Sequence, residues 1–170
     1  DKNYPNPKLI PNESTKEAQV LLLEDWADTT LARASRNALI QAASINKELR
    51  IALLPEDLPT PFKAILKKLP FEQMKLVMDI FGKEEYTNLL FHLKKLSILL
   101  EKNQWLIGDS ITVADISVAA QISLLKFPTS SGSPLTGQGC PGFSDHPQLQ
   151  ALFAWRDRME EILLNNDLEQ

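Results

Sequence analysis

The chain is poor in cysteine, in basic excess and in long apolar runs, and each shortage excludes a class of function. One cysteine, Cys140, rules out an internal disulfide and any zinc site built on several cysteines. A single thiol fits a reducing, cytoplasmic compartment, although a disulfide-free secreted protein has the same composition. Eighteen Lys and Arg against 22 Asp and Glu give a formal net charge of −4, the wrong sign for a nucleic-acid footprint. No apolar run approaches the roughly 20 residues needed to cross a bilayer, and no secretory signal pattern opens the chain. No internal repeat is visible, and no strand-like alternation. Gly and Pro are absent between Pro11 and Pro55, which leaves that stretch free to be one long helix.

What is there is helical periodicity around one nearly uncharged stretch, Trp105 to Leu125, WLIGDSITVADISVAAQISLL. Gly108 and Asp109 punctuate the end of one segment. Thr112 with Asp115 three residues later reads as a capping box, with Ile111 and Ile116 at the hydrophobic staple positions. The Thr112 hydroxyl is expected to accept from the Asp115 N–H, and the Asp115 carboxylate to accept from the Thr112 N–H, a structural rather than catalytic use of the pair. Ile116, Val118, Ala119, Ala120, Ile122, Leu124 and Leu125 then leave no broad polar face, so this helix is expected to be central and buried.

The other helices follow in order. Ser14 and Glu17 suggest a second capping box opening a long helix whose inner face is Ala18, Leu21, Leu22, Trp26, Leu31, Ala34, Ala38, Ala42 and Ile45. A run of this length is expected to bend or break. The prolines from Pro55 to Pro61 end it. Phe62 to Leu69 and Phe71 to Phe81 read as two short amphipathic pieces, with Gly82 as a stop. Glu84 to Leu100 is a helix with Tyr86, Leu89, Leu90, Leu93, Leu96 and Leu100 on one face. A Gly/Pro/Ser-rich loop follows Phe127, and such loops are often functional or disordered. Asp145, with Pro147 in the first turn, opens the closing helix with Leu149, Leu152, Phe153, Arg156, Met159 and Leu163 inside. Asn165 to Gln170 reads as a frayed tail.

The Gly-Asp turn, Ser-Ile-Thr-Val-Ala-Asp and the buried helix after it resemble the central helix of the C-terminal domain of cytosolic glutathione transferases. The opening Tyr4-Pro5 and Leu9-Ile10-Pro11 are similar to the linker that enters that domain. His146-Pro147-Gln148-Leu149 with Ala154-Trp155-Arg156 resembles its closing helix. The resemblance implies an all-α bundle around a buried central helix, with residues 1–13 as a linker remnant and 14–170 as the helical domain. It places the glutathione site and the thiol-activating Ser, Tyr or Cys on a thioredoxin-like N-terminal domain, so no catalytic residue is assigned to these 170 residues. The chain alone is then expected to be inactive, no cofactor is assigned to it, and glutathione is a co-substrate of the parent protein in detoxification.

The resemblance further implies a hydrophobic electrophilic small molecule and the N-terminal domain as partners, a possible homodimer, and neither nucleic acid nor membrane. By position in the first long helix, Arg33, Arg36, Asn37 and Ile40 would border the interdomain cleft as substrate-binding residues, with the two arginines able to hold an anionic group. The bland alternative is a hydrated helix face. The same domain type also serves as a noncatalytic protein–protein docking module, and that alternative stays open. His92 and His146 lack a ligand pattern for a metal. Trp26, Trp105 and Trp155 are expected in the core, Cys140 as an inert thiol, and Lys63, Lys67 and Lys68 on a solvated helix face.

Overall fold

A computed structural model describes residues 8–54, 61 and 72–167, with side chains at 8–54, 61 and 84–164. The lysines at Lys63, Lys67 and Lys68, the proline break after Leu54, the linker up to Pro7 and the last three residues lie outside the described residues. Those described form α-helices and turns; their only β-type pairing is an isolated bridge between Lys126 and Gly139.

The absence of Gly and Pro gives one rod from α1 (Ser14–Trp26) through a π-helical turn (Ala27–Leu31) into α2 (Ala32–Ile45). Asn46 ends it at φ −101°, ψ 105° and caps α3 (Lys47–Ala52), its Oδ1 accepting from the N–H of Glu48 at 2.9 Å and Leu49 at 3.1 Å. Thus the expected interruption is a widened turn at 27–31 followed by a break at Asn46. The residue preceding α1 is Glu13, in extended conformation and without a side-chain cap, so the expected Ser14–Glu17 box is not formed. The expected inner face also needs correction in its first half. Val20, Ala27 and Leu31 are buried, whereas Ala18 is exposed, and Leu21 and Leu22 expose 42% and 72% of their surface. The run Val20-Leu21-Leu22-Leu23 offers two stripes one step apart. Only the stripe in 3.6-residue phase with Leu31 reaches the core. At the far end Ile45 is exposed as well.

Backbone helicity continues from α4 (Glu72–Leu100) straight through Gly82, which was expected to be a stop. One glycine weakens a helix by about 1 kcal/mol relative to alanine, and 29 residues of continuous ladder absorb that. Leu89, Leu93 and Leu96 are buried as the periodicity requires, with Tyr86, Leu90 and Leu100 partly buried beside them. This helix packs mainly on α2.

The central helix is α5 (Val113–Ser123), two residues shorter than the apolar run because Leu124 and Leu125 form the turn after it. Ala114, Asp115, Val118, Ala119 and Ile122 are buried, Val113, Ile116, Ser117, Gln121 and Ser123 are half-buried, and Ala120 is exposed. The capping box of Thr112 and Asp115 is present. Its carboxylate half is the better directed. Asp115 Oδ2 accepts from the Thr112 N–H at 2.9 Å and from the Thr112 hydroxyl at 2.6 Å, while Oδ1 accepts from the Leu106 N–H at 2.8 Å. The Asp115 N–H is shared with the Thr112 carbonyl at 3.1 Å, which weakens the hydroxyl half. The Leu9 carbonyl accepts from the Val113 N–H at 3.0 Å, so the entering segment ends on the start of this helix.

The closing helix is α6 (Gln150–Asp167), preceded by a 3₁₀ turn (Pro147–Leu149). His146, not Asp145, caps that turn, its Nδ1 accepting from the Gln148 N–H at 3.2 Å. Asp145 instead holds the turn before it, its Oδ1 accepting from the Gly142 N–H at 2.6 Å. Leu149, Leu152, Phe153, Arg156 and Met159 are buried, and Trp155 Nε1 donates to the Gln104 carbonyl at 3.0 Å.

The loop from Phe127 to Asp145 is ordered against the core. Phe127 N–H donates to the Gln138 carbonyl at 2.8 Å, and Cys140 N–H to the Leu125 carbonyl at 2.8 Å. Phe127, Cys140 and Phe143 are buried. Such close backbone approach leaves no room for a side chain at Gly139, where a Cβ would lie 2.4 Å from the Leu125 carbonyl oxygen. Glycine therefore folds this loop into the bundle.

Candidate functional site

Arg33, Arg36, Asn37 and Ile40 all sit on the exposed side of α2, just after the π turn. Residues four apart on a helix stand above one another, so Arg33, Asn37 and Gln41 form one ridge and Arg36 with Ile40 a second. The two ridges have different neighbours. Asn37 Nδ2 donates to Glu85 Oε2 on α4 at 3.0 Å, and Arg33 Nε stands 3.8 Å from Glu85 Oε1. Arg36 has no ion pair among the described residues. Ile40 leaves 49% of its surface in water, an apolar patch beside that guanidinium.

Below the first ridge a cavity of about 240 Å³ opens between α2, α4 and the 140–143 turn. Ala38 and Ala42 leave the space, Tyr86 and Phe143 form an aromatic wall with ring centroids 4.4 Å apart, and Gln41 also lines it, whereas Arg33, Arg36, Asn37 and Ile40 do not. Gly142 adopts φ +85°, and a Cβ there would come within 2.4 Å of the Tyr86 hydroxyl. Gly142 therefore leaves room for the tyrosine hydroxyl against the loop. Sequence reasoning did not find Gln41, Glu85, Tyr86 and Phe143 as neighbours of the α2 residues. Tyr86 was legible as a face residue of α4, but nothing local links position 85 to position 37.

Two ionisable groups line this cavity, and burial moves both away from ionisation. Burial raises the Cys140 pKa from 9.0 to about 12, and its thiol points at the Leu124 carbonyl at 3.5 Å. The Tyr86 phenol is raised by burial first and by the Asp145 carboxylate second. A thiol held neutral in this way is a poor nucleophile. In the folded chain Cys140 is expected to resist disulfide-exchange and alkylating reagents at pH 8, and to react fully once denatured. Rapid labelling without denaturant contradicts the burial. The folded state therefore binds this proton more tightly than the unfolded state. Stability is expected to fall as pH rises from 9.0 toward about 12, a slope that Cys140→Ala reduces, leaving the part that the raised Tyr86 phenol adds above pH 10.0.

Thr112 and Asp115 lie elsewhere, at the start of α5, fully engaged with backbone and with one another. His92 in α4 stacks edge-on with Trp26 and Phe91, and His146 serves as a cap. Among the described residues no group of three or more His, Cys, Asp or Glu side chains is arranged to hold a metal ion. Among them also, no helix is long and apolar enough to cross a membrane.

A second opening of about 550 Å³ lies on the other side of the bundle, between α1, the end of α4 and the 106–108 turn. Leu22, Trp26, Leu99 and Ile107 give it an apolar floor. Leu22 and Leu99 are exposed, as are Phe91 and Ile98 on α4.

No curated protein and no solved structure matches the chain. A family model does: glutathione S-transferase, C-terminal domain, over residues 56–162. The match begins after α3, so the α2 ridges lie outside it and α4, α5 and most of α6 inside. A domain of this kind implies an N-terminal partner domain. With more than half of its residues inside that match, the helical bundle built around Val113–Ser123 belongs to the glutathione S-transferase C-terminal domain family.

Proposed function

We propose that this chain is the electrophile-binding helical domain of a glutathione transferase. A thioredoxin-like partner domain binds glutathione and activates its thiol in this reading. The chain contributes Arg33, Arg36, Asn37 and Ile40 on α2, with the cavity beneath Gln41 receiving an apolar, ring-sized body. The observation that carries the reading is the cavity of about 240 Å³ beneath Gln41, on the ridge that also carries Arg33 and Asn37. Ile40 and Arg36, which has no ion pair among the described residues, lie on the neighbouring ridge and do not line it. Arg36 is the residue positioned to take an anionic or strongly polar head, since Arg33 and Asn37 already face Glu85.

The catalytic division of labour is consistent with the acid–base character of the cavity. Conjugation needs a thiolate from a thiol of pKa about 8.5. A base would have to take that proton, and neither Cys140 nor Tyr86, both shifted toward the protonated form, is suited to act as one at neutral pH. The 170-residue chain, mixed with glutathione and chlorodinitrobenzene, is therefore expected to give the rate of a buffer blank. Turnover above the blank would mean that a thiol-activating group lies within these residues.

A docking role is the second reading, and the Leu22–Leu99 opening with its exposed apolar neighbours favours it. In that case the apolar face of α1 and α4, not the α2 ridge, is the working surface.

A further inference from the structure

The first ridge of α2 already holds a carboxylate where a ligand would bring one. Glu85 reaches from α4 to accept from Asn37 at 3.0 Å and to stand 3.8 Å from Arg33. Its side chain is 32% exposed and that of Arg33 70%, so the ion pair is wet while the Asn37 contact is well formed. Both groups that could clamp an anion on this ridge are thereby directed at the protein's own carboxylate. One helical step away Arg36 has no such counter-ion among the described residues.

We infer that Glu85 sets the charge preference of the site by occupying the anion position of Arg33 and Asn37. A carboxylate or sulfonate is then admitted at Arg36 alone, while a head group seeking Asn37 must displace Glu85. The site as built favours neutral electrophiles, or monoanions seated at Arg36, over ligands carrying two negative charges. This inference rests on the α2 ridge being the ligand site.

The test compares two fluorescent probes with similar apolar bodies, anionic anilinonaphthalenesulfonate and neutral phenylnaphthylamine, titrated into the 170-residue chain at low ionic strength. Glu85→Gln keeps the size of the side chain and its hydrogen bond to Asn37 while removing the charge. It is expected to tighten the sulfonate by about three- to tenfold and to leave the neutral probe within about twofold. Adding Arg33→Gln to Glu85→Gln is expected to cancel the gain, because the released guanidinium is its source. Equal shifts for both probes, or a gain that survives the double substitution, would overturn the inference. Failure of the underlying site has a different signature. Ala38→Trp fills the cavity beside the ridge, and unchanged affinity for both probes in that variant would remove the ligand site and the inference together. Circular dichroism of each variant confirms that the helices are retained.

Discussion

Asp115→Ala is expected to cost about 3–4 kcal/mol, more than the roughly 1 kcal/mol of an ordinary helix cap. The reason is that Asp115 is wholly buried and accepts three hydrogen bonds, two of them from backbone N–H groups 9 and 3 residues away. Truncation leaves the N–H groups of Leu106 and Thr112 without their acceptor, at about 1–3 kcal/mol each. It also unties the 106–112 turn from the start of the central helix. Asp115→Asn retains one acceptor oxygen and is expected to cost about half as much. Chemical denaturation of the two variants measures both values, and a cost below about 1 kcal/mol for Asp115→Ala would mean that water replaces the carboxylate.

Arg156→Ala is expected to be of similar size, about 3 kcal/mol, at the opposite end of the same helix. Arg156 is 1% exposed. Its Nη1 donates to the Lys126 carbonyl just beyond the helix end and lies 3.5 Å from the Ser123 hydroxyl, while Nε and Nη2 meet Asp157 Oδ1 at 2.9 and 2.6 Å. Its guanidinium also stands 5.5 Å from the centre of the Phe153 ring. Removing the side chain leaves a carbonyl without its donor and a void between α5 and α6. By contrast Asp157→Ala is expected to cost less than about 1 kcal/mol, since that carboxylate is half exposed and water can take its place. A melting curve for Arg156→Ala within about 2 °C of the parent would refute this role. Asp115 and Arg156 together clasp the central helix at its two ends, which ties its axis to the 106–112 turn on one side and to α6 on the other.

The legibility of these features follows their range along the chain. The Thr112–Asp115 box is a three-residue contact, and its spacing alone specified the geometry. The face of α4 was equally plain, because leucines at three- and four-residue steps admit one stripe. The face of α1 was not, since four consecutive apolar residues, Val20 to Leu23, admit two stripes and only packing on α5 selects between them. At the start of the closing helix Asp145 and His146 are adjacent candidate caps, and the tight turn at Gly142 claims the aspartate. Interactions across the fold left no local trace. Arg156 reaches Lys126 over 30 residues, and Asn37 reaches Glu85 over 48, so the charge environment of the α2 ridge emerged only in three dimensions.

The central functional claim is that ligand meets this domain on the α2 ridge and its cavity. NMR titration of the amide resonances of the 170-residue chain with an apolar electrophile analogue bearing one carboxylate tests it most directly. The account predicts shifts concentrated at Arg33, Arg36, Asn37, Ile40 and Gln41 and across the cavity at Tyr86 and Phe143, weakened by Arg36→Ala. Shifts confined to Leu22, Leu99 and Ile107 on the other face, or no saturable shift at all, would contradict it.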